Sequence, residues 1–452
     1  MTKAAFVTLG CKVNQYESQS MQSTLRRNGY TLVPEDSPAD VYIINTCTVT
    51  NFSDRKARQL VRKTTRQNPE AQVLVTGCYA ETDKKNIAKI PKVSKVFGNK
   101  EKKNILTYLE DLDLKPDHPT KAPVSLCDEL DTPLPVSSPF LPGQRTRALL
   151  KVQDGCSAFC SFCIIPYVRG KMESRPLPEI LTEASQFAAE GYKEVVLTGI
   201  HLGSYGKDVK KRVSLLDILE GLSTIDGIER VRIGSLEPMD FPLSMVDAMA
   251  TFPKLMPHFH LPLQAGADAT LERMRRRYTT AHYAALVERI RERFQDATIT
   301  SDVMVGFPGE TDADFEASLR FVEETGFSQL HVFRYSPRKG TPAASFQNQV
   351  PGDVASARSR AMIEVGLRTG AAFRQTMRGK TARVLVERSP EREGGFSGYT
   401  ENYLRTLMQV PESAVGQILE VRLTETQGDL LSCEVLTPLQ PVALPSPLQI
   451  LP

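Results

Sequence analysis

Asp154-Gly155-Cys156-Ser157-Ala158-Phe159-Cys160-Ser161-Phe162-Cys163 sets three cysteines at the spacing C-x3-C-x2-C. Thiolates are the usual ligands of iron–sulfur clusters, and three of them suit three corners of a cubane [4Fe–4S] cluster. A fourth ligand is missing. One iron would therefore stay open to a small molecule, as the open position of a catalytic zinc stays open to substrate. Zinc more often takes paired C-x2-C elements, and no second cysteine or histidine pair lies nearby. A disulfide with a spare thiol is the other alternative.

The cysteine loop follows a β-like run at 148–153, and five more such runs follow at 194–199, 230–235, 258–263, 298–304 and 329–335. Helical patterns separate them. One starts at Pro178 and stops before Gly191; another spaces Phe315, Leu319 and Val322 as a core-facing stripe. Strand–helix repetition of this length predicts a parallel barrel or partial barrel over 143–372, with chemistry at the strands' carboxyl ends. The cysteine loop, with Phe162 before its last cysteine, resembles that of the radical S-adenosylmethionine (SAM) enzymes. The resemblance implies a partial six-fold barrel binding a [4Fe–4S] cluster and SAM.

Other strand ends then become candidates for holding SAM, with loop caps or barrel ion pairs as the plain reading of each. Thr198 and Gly199 end the second strand, and Ser235 and Glu237 end the third. A carboxylate such as Glu237 accepts hydrogen bonds from an ammonium or a ribose hydroxyl. Gln264 stands in Leu263-Gln264-Ala265-Gly266, which resembles a family turn except that Ala265 replaces a serine. Gly306 opens Gly306-Phe307-Pro308-Gly309 after the fifth strand, where glycine permits close approach of backbone to ligand. His258 and His260 share one face of a strand; with no third metal ligand evident, they read as packed histidines. Arg273, Arg275, Arg276 and Arg277 form either a solvated run or a phosphate-contacting face.

Upstream, over about 1–108, three runs apolar on both faces each end in a cysteine. Residues 4–9 lead to Cys11, 41–46 to Cys47 and 73–77 to Cys78. Runs of this kind belong to a covered parallel sheet, with helices at 18–28 and 53–67 between them. The carboxyl edge of an open α/β sheet is its binding edge, so the three cysteines should converge there. Three unrelated core cysteines are the alternative. The pattern resembles the N-terminal domain of the methylthiotransferases, which implies a second, auxiliary [4Fe–4S] cluster. Gly10-Cys11-Lys12-Val13-Asn14-Gln15 is most similar to the branch that modifies N6-threonylcarbamoyladenosine in tRNA. The branch acting on isopentenyladenosine more usually has glutamine-methionine after the cysteine, and the branch acting on a ribosomal protein has proline-lysine. A basic helix carries Arg55, Lys56, Arg58, Arg62, Lys63 and Arg66, either as a solvated face or as phosphate contacts. A proline-rich linker spans 109–142.

Beyond the barrel, short strands at 382–387, 405–410 and 418–423 with glycine turns predict a small antiparallel barrel over 373–440. Gly398-Tyr399-Thr400-Glu401-Asn402-Tyr403 resembles the TRAM module of tRNA-modifying enzymes, implying base stacking on Tyr399 and Tyr403 and a phosphate contact by Arg405. With 8 Lys and Arg against 9 Asp and Glu in 374–440, this unit is not basic. The basic surplus lies in residues 1–145, with 21 against 16. A tail at 441–452 carries no assignment.

The chain has 452 residues and a net charge of +3, which neither requires nor excludes a nucleic acid. No apolar run reaches the ~18 residues of a membrane span, and eight cysteines without a secretory pattern point to a reducing cytoplasm. Cys127 and Cys433 read as incidental thiols. The fold class expected is α/β: an open parallel sheet, a radical SAM partial barrel and a TRAM-like β-barrel. The resemblance implies an enzyme placing a methylthio group on C2 of N6-threonylcarbamoyladenosine at position 37 of tRNA. It would use two [4Fe–4S] clusters, two SAM, a flavodoxin- or ferredoxin-like reductant and a sulfur source. The alternatives are isopentenyladenosine in tRNA, a ribosomal protein aspartate, and a noncatalytic iron–sulfur RNA-binding protein. Oligomeric state is not legible.

Overall fold

The structure, a computed structural model, describes residues 2–116, 145–210, 213–389 and 395–436. The linker from residue 117 on, Cys127 and the tail lie outside the described residues.

Five parallel strands form the N-terminal sheet in the order Thr31–Val33, Lys3–Thr8, Val41–Thr46, Gln72–Gly77, Val93–Val96. Successive residues of a strand point to opposite faces, and both faces here are apolar. Ala5, Val7, Tyr42, Ile44, Val73 and Val75 build one core, while Ala4, Phe6, Val41, Ile43 and Leu74 build the other. Helices cover both sides, so Val41–Thr46 is buried throughout. The two edge strands are short and half-polar, so no apolar run marks them in the sequence.

The central unit has six parallel strands in chain order, as the strand–helix repetition predicts. Arg147–Lys151, Glu194–Thr198 and Arg230–Ile233 form one sheet; His258–His260, Thr298–Val305 and Gln329–Arg334 form the other. Bridges at Val231 with Leu255 and Ser235 with His260 join the two. The first and sixth strands do not pair, so the barrel is open along one side. Helix Lys12–Arg27 of the N-terminal unit packs beside the first strand at that opening. Helix Asp312–Thr325 starts at a capping box of Thr311 and Asp314 and buries Phe315 and Val322.

A closed five-stranded barrel ends the described chain: Thr381–Arg388, Phe396–Thr400, Arg405–Met408, Leu430–Val435 and Ile418–Gln427. Gly398 lies inside a strand rather than in a dividing turn. A Cβ there would stand 2.3 Å from the Leu385 carbonyl oxygen, so close strand packing requires glycine. This unit closes the amino-terminal end of the large barrel. Arg230 donates to the carbonyls of Tyr399 and Arg383, Arg232 to those of Thr400 and Glu401, and Thr298 to that of Asn402. Both arginines are buried against Glu194, which offsets charges that burial alone would make costly.

Candidate functional site

Two trios of cysteines collect at carboxyl strand ends, one at the edge of the N-terminal sheet and one at the barrel's first strand. All six are free thiols. In the N-terminal trio, Cys11, Cys47 and Cys78 each follow a strand of the sheet. Gly10 sits at φ +107°, and a Cβ on it would meet the Cys47 Cβ at 2.9 Å and its Sγ at 3.3 Å. Only glycine lets these two loops close to that distance. Asn14 fastens the same loops by donating to the carbonyls of Leu9 and Thr46.

The second trio lies in the loop after Arg147–Lys151. The Cys156 Sγ is 3.5 Å from His201 Nδ1, and His201 Nε2 is 2.7 Å from Asp240. Burial disfavours the imidazolium, but Asp240 and Cys156 outweigh it and raise His201 to about 9. The Cys160 Sγ accepts from Arg276 Nη1 at 3.4 Å, and Arg276 pairs with Glu237. Burial pushes Cys163 up to about 12, and it raises Cys47, Cys78 and Cys160 as well. Thiols so desolvated ionise readily only when a metal cation compensates them, and each trio offers three soft donors within electrostatic reach of one another. The donor sets therefore fit an iron–sulfur cluster each, with one position left open.

The trios face a shared boundary. Cys78 packs with Ile164 and Val168, just past Cys163, and Asn99 donates to the Val168 carbonyl. Around them runs a buried ion network. Glu17 accepts from Lys102, from Lys151 at 3.1 Å and from Arg169 at 2.9 Å, and Arg169 also donates to Asp154 and Asn14. Burial would raise the Glu17 carboxyl, but Lys102, Arg169 and Lys151 hold it well below the usual range. On the far side Arg338 donates to Asp54, Asn51 and Thr48, gripping the loop that follows Cys47. These two clamps fix one trio against the other.

The remaining candidates divide. Phe162 packs edge-on against Phe307, with centroids 6.3 Å apart. Thr198 is buried; past Gly199, the amides of Ile200 and His201 both donate to Gln153 Oε1. Ser235 bridges to His260. Gln264 is buried at φ +66°, and its Oε1 has no hydrogen-bond partner among the described residues. An orphaned acceptor on a strained residue at a strand's carboxyl end fits a cofactor contact. Gly306 does not present its amide to a ligand: the amide donates to Glu310, and a Cβ would meet Ala355 at 2.7 Å, so helix packing explains the glycine.

The RNA-contact candidates need correction in part. Arg55 and Arg62 are exposed on helix Asn51–Gln67, while Arg58 donates to Tyr79. Arg275 is exposed, but Arg276 is buried beside Cys160 and faces no RNA. Tyr399 and Tyr403 stack on each other at 4.4 Å, and Tyr403 stacks on His258 at 4.3 Å. Arg147 and Arg232 lie over Tyr403 at 5.6 and 4.7 Å, so these rings floor the large barrel rather than offer open faces to bases. Arg405 lies half-buried on its strand. Both rings of the H-x-H pair meet the Thr300 hydroxyl, His258 at 3.3 Å and His260 at 2.9 Å. His260 meets Asp302 and His331, whose candidate ligand atoms lie within 4.8 Å of one another, so the third ligand type absent from the local sequence comes from neighbouring strands.

His201 and the clamp residues Glu17 and Arg338 were not singled out from sequence. Each acts through a partner tens to hundreds of positions away, and only His201, two residues past Gly199, carried a local signal.

Among the described residues no helix is long and apolar enough to cross a membrane. Residues 3–98 match the model described as "Uncharacterized protein family UPF0004", 150–322 the radical SAM superfamily and 375–436 the TRAM domain. Threonylcarbamoyladenosine tRNA methylthiotransferase MtaB of Bacillus subtilis is 38% identical, covering 94% of each chain. The protein so named from Thermotoga maritima is 36% identical, over 94% of this chain and 95% of its own. A tRNA-2-methylthio-N(6)-dimethylallyladenosine synthase of Carboxydothermus hydrogenoformans is 34% identical, over 93% and 96%. Among solved structures, the radical SAM methyltransferase TsrM of Kitasatospora setae superposes with a TM-score of 0.53 at 15% identity, covering 76% of this chain and 77% of that one, a likeness of fold. The strand-end thiol trios, the three matched domains and full-length relatives converge on one conclusion: this chain is an enzyme of the radical SAM tRNA methylthiotransferase family.

Proposed function

We propose that the protein methylthiolates C2 of N6-threonylcarbamoyladenosine at position 37 of tRNA, in the cytoplasm, using two [4Fe–4S] clusters and two SAM. The observation that carries this reading is the pairing of two open three-thiolate sites across the Cys78–Ile164–Val168 boundary. The names of the relatives at 36–38% identity support the substrate.

Cys156, Cys160 and Cys163 would hold the cluster that engages SAM, and Cys11, Cys47 and Cys78 the auxiliary one. When bound, these groups supply reductive SAM cleavage and a sulfur for transfer, chemistry that an inert adenine C2–H bond requires and side chains lack. The chain's own residues position and shield. Arg276 neutralises Glu237 beside Cys160, and Gln264 offers an acceptor to the cofactor. Glu17, Arg169 and Arg338 keep the two cysteine edges in register, since small misplacements at a reacting centre are costly in rate. A reductant of flavodoxin or ferredoxin type and a sulfur source complete the system. The units assigned are 1–108 for the auxiliary cluster, 109–142 as linker, 143–372 as radical SAM core and 373–440 as the TRAM-like barrel.

The relative named for dimethylallyladenosine keeps that substrate as the competing reading. Mass spectrometry of tRNA nucleosides from cells with and without the gene decides. Loss of the methylthio form of threonylcarbamoyladenosine is expected; loss of the methylthio isopentenyl form instead would move the protein to the neighbouring branch.

A further inference from the structure

Strands His258–His260, Thr298–Val305 and Gln329–Arg334 lie side by side, and their register gathers four polar side chains on one face. His260 stands opposite Thr300, and Asp302 opposite His331. Residues two apart on a strand share a face, so Thr300 and Asp302 bring all four to the same side. That side is the barrel interior. The alternate residues turn outward: Phe259 packs edge-on against Phe294, and Leu330 lies against the outer helix at Gly366.

His260 Nε2 is 3.4 Å from one oxygen of Asp302, and His331 Nδ1 is 3.1 Å from the other. With one ligand atom taken from each residue, all three lie within 4.8 Å of one another. Nitrogen and oxygen ligands of a tetrahedral zinc, each about 2.0–2.1 Å from the ion, stand about 3.3–3.4 Å apart. The two contacts to Asp302 lie close to that spacing. The longer one exceeds the usual N–H···O range of about 2.7–3.2 Å, so a hydrogen bond alone leaves it half-made, whereas a cation between the atoms completes it. The remote nitrogen of His260, Nδ1, is 2.9 Å from the Thr300 hydroxyl. A hydrogen bond at the remote nitrogen fixes the tautomer and orientation of a ligating imidazole. The site also has an entry path, since 57% of the His331 side chain and 29% of the Asp302 side chain are exposed.

We propose that His260, Asp302 and His331 form a mononuclear site for a divalent transition-metal ion of the zinc type, separate from both cysteine trios. Two imidazoles and a carboxylate suit such an ion, whereas magnesium and calcium favour all-oxygen sets and softer ions favour thiolates. The ion binds both imidazoles neutral and compensates the carboxylate between them. Three protein ligands leave a position open toward the barrel interior, where water or an oxygen of a bound molecule completes the shell. The site stands independently of the substrate reading above.

The probe is zinc ion alone. Anaerobically reconstituted protein, its cysteines occupied by iron–sulfur clusters, is passed over a chelating resin and given one equivalent of zinc per chain. It should retain about one zinc after desalting. Zinc-edge X-ray absorption should show a nitrogen and oxygen shell at about 2.0–2.1 Å and no sulfur shell at about 2.3 Å. Equilibrium dialysis against buffered zinc should show binding weakened roughly ten- to a hundredfold in Thr300→Val, and further in His331→Gln and His260→Gln. Iron content and thermal midpoint report whether each variant is folded. If His260→Gln is not, His331→Gln carries the comparison, because its side chain is open and its replacement disturbs little packing. Wild type that retains no zinc, zinc held by sulfur, or unchanged zinc affinity in His331→Gln overturns the site.

Discussion

Arg276 stands in a run of arginines that reads, along the chain, as a nucleic-acid contact. In the fold it turns inward, joins Glu237 and Tyr278, and donates to the Cys160 sulfur. Its side chain is 2% exposed. Removing one partner of a buried ion pair leaves the other charge uncompensated, a loss of about 3–5 kcal/mol. Arg276→Gln should therefore lower the thermal midpoint and weaken reductive SAM cleavage. It should not change how tRNA binding responds to salt, because a side chain buried beside Cys160 touches no phosphate. A variant of normal stability with a shallower salt dependence would return Arg276 to the RNA surface. Arg275, its exposed neighbour, provides the matched control.

Helix Asn51–Gln67 shows what an amphipathic element does with a surplus of charge. Ala57, Val61, Thr64 and Thr65 face the core, while Arg55, Lys56, Arg62, Lys63 and Arg66 face solvent. Each phosphate contact releases counterions, so replacing Arg55, Arg62 and Arg66 with Gln should flatten the plot of log affinity against log salt. The change in slope should be roughly 0.7 to 0.9 for each phosphate the helix no longer neutralises. An unchanged slope, measured by filter binding or fluorescence anisotropy, would make this helix a solvated face. Its periodicity was legible in the sequence because one helix carries its own pattern. The strand-end cysteines were legible for the same reason: each ends an apolar run, and the edge they share follows from a parallel sheet. The inward turn of Tyr403 was not, because what it stacks on is His258, a residue of another unit. Local pattern reveals an element's own faces; it is silent on which foreign element covers them.

At the scale of the whole molecule, the N-terminal sheet and the barrel bring their carboxyl strand ends together, and the boundary is clamped on two sides. Glu17–Arg169–Asp154 fastens one side and Arg338–Asp54 the other, with Cys78 packed on Ile164 and Val168 between them. Each trio is nevertheless built by its own sheet, so the two sites should load and fail independently. Anaerobically reconstituted protein should hold about eight irons, and replacing Cys156, Cys160 and Cys163 with Ala should remove about half. Replacing Cys11, Cys47 and Cys78 with Ala should remove the other half. That second variant should still cleave SAM at a measurable rate, because the strand ends around Gln264 and Glu237 belong to the barrel alone. It should form no methylthio product, since the sulfur would be held at the missing site. Iron assay, 5′-deoxyadenosine release and nucleoside mass spectrometry read the three outcomes separately. A variant lacking the N-terminal trio that still methylthiolates RNA would take sulfur handling away from that site. Loss of all iron from either triple variant would mean that the shared boundary makes the two sites one folding unit.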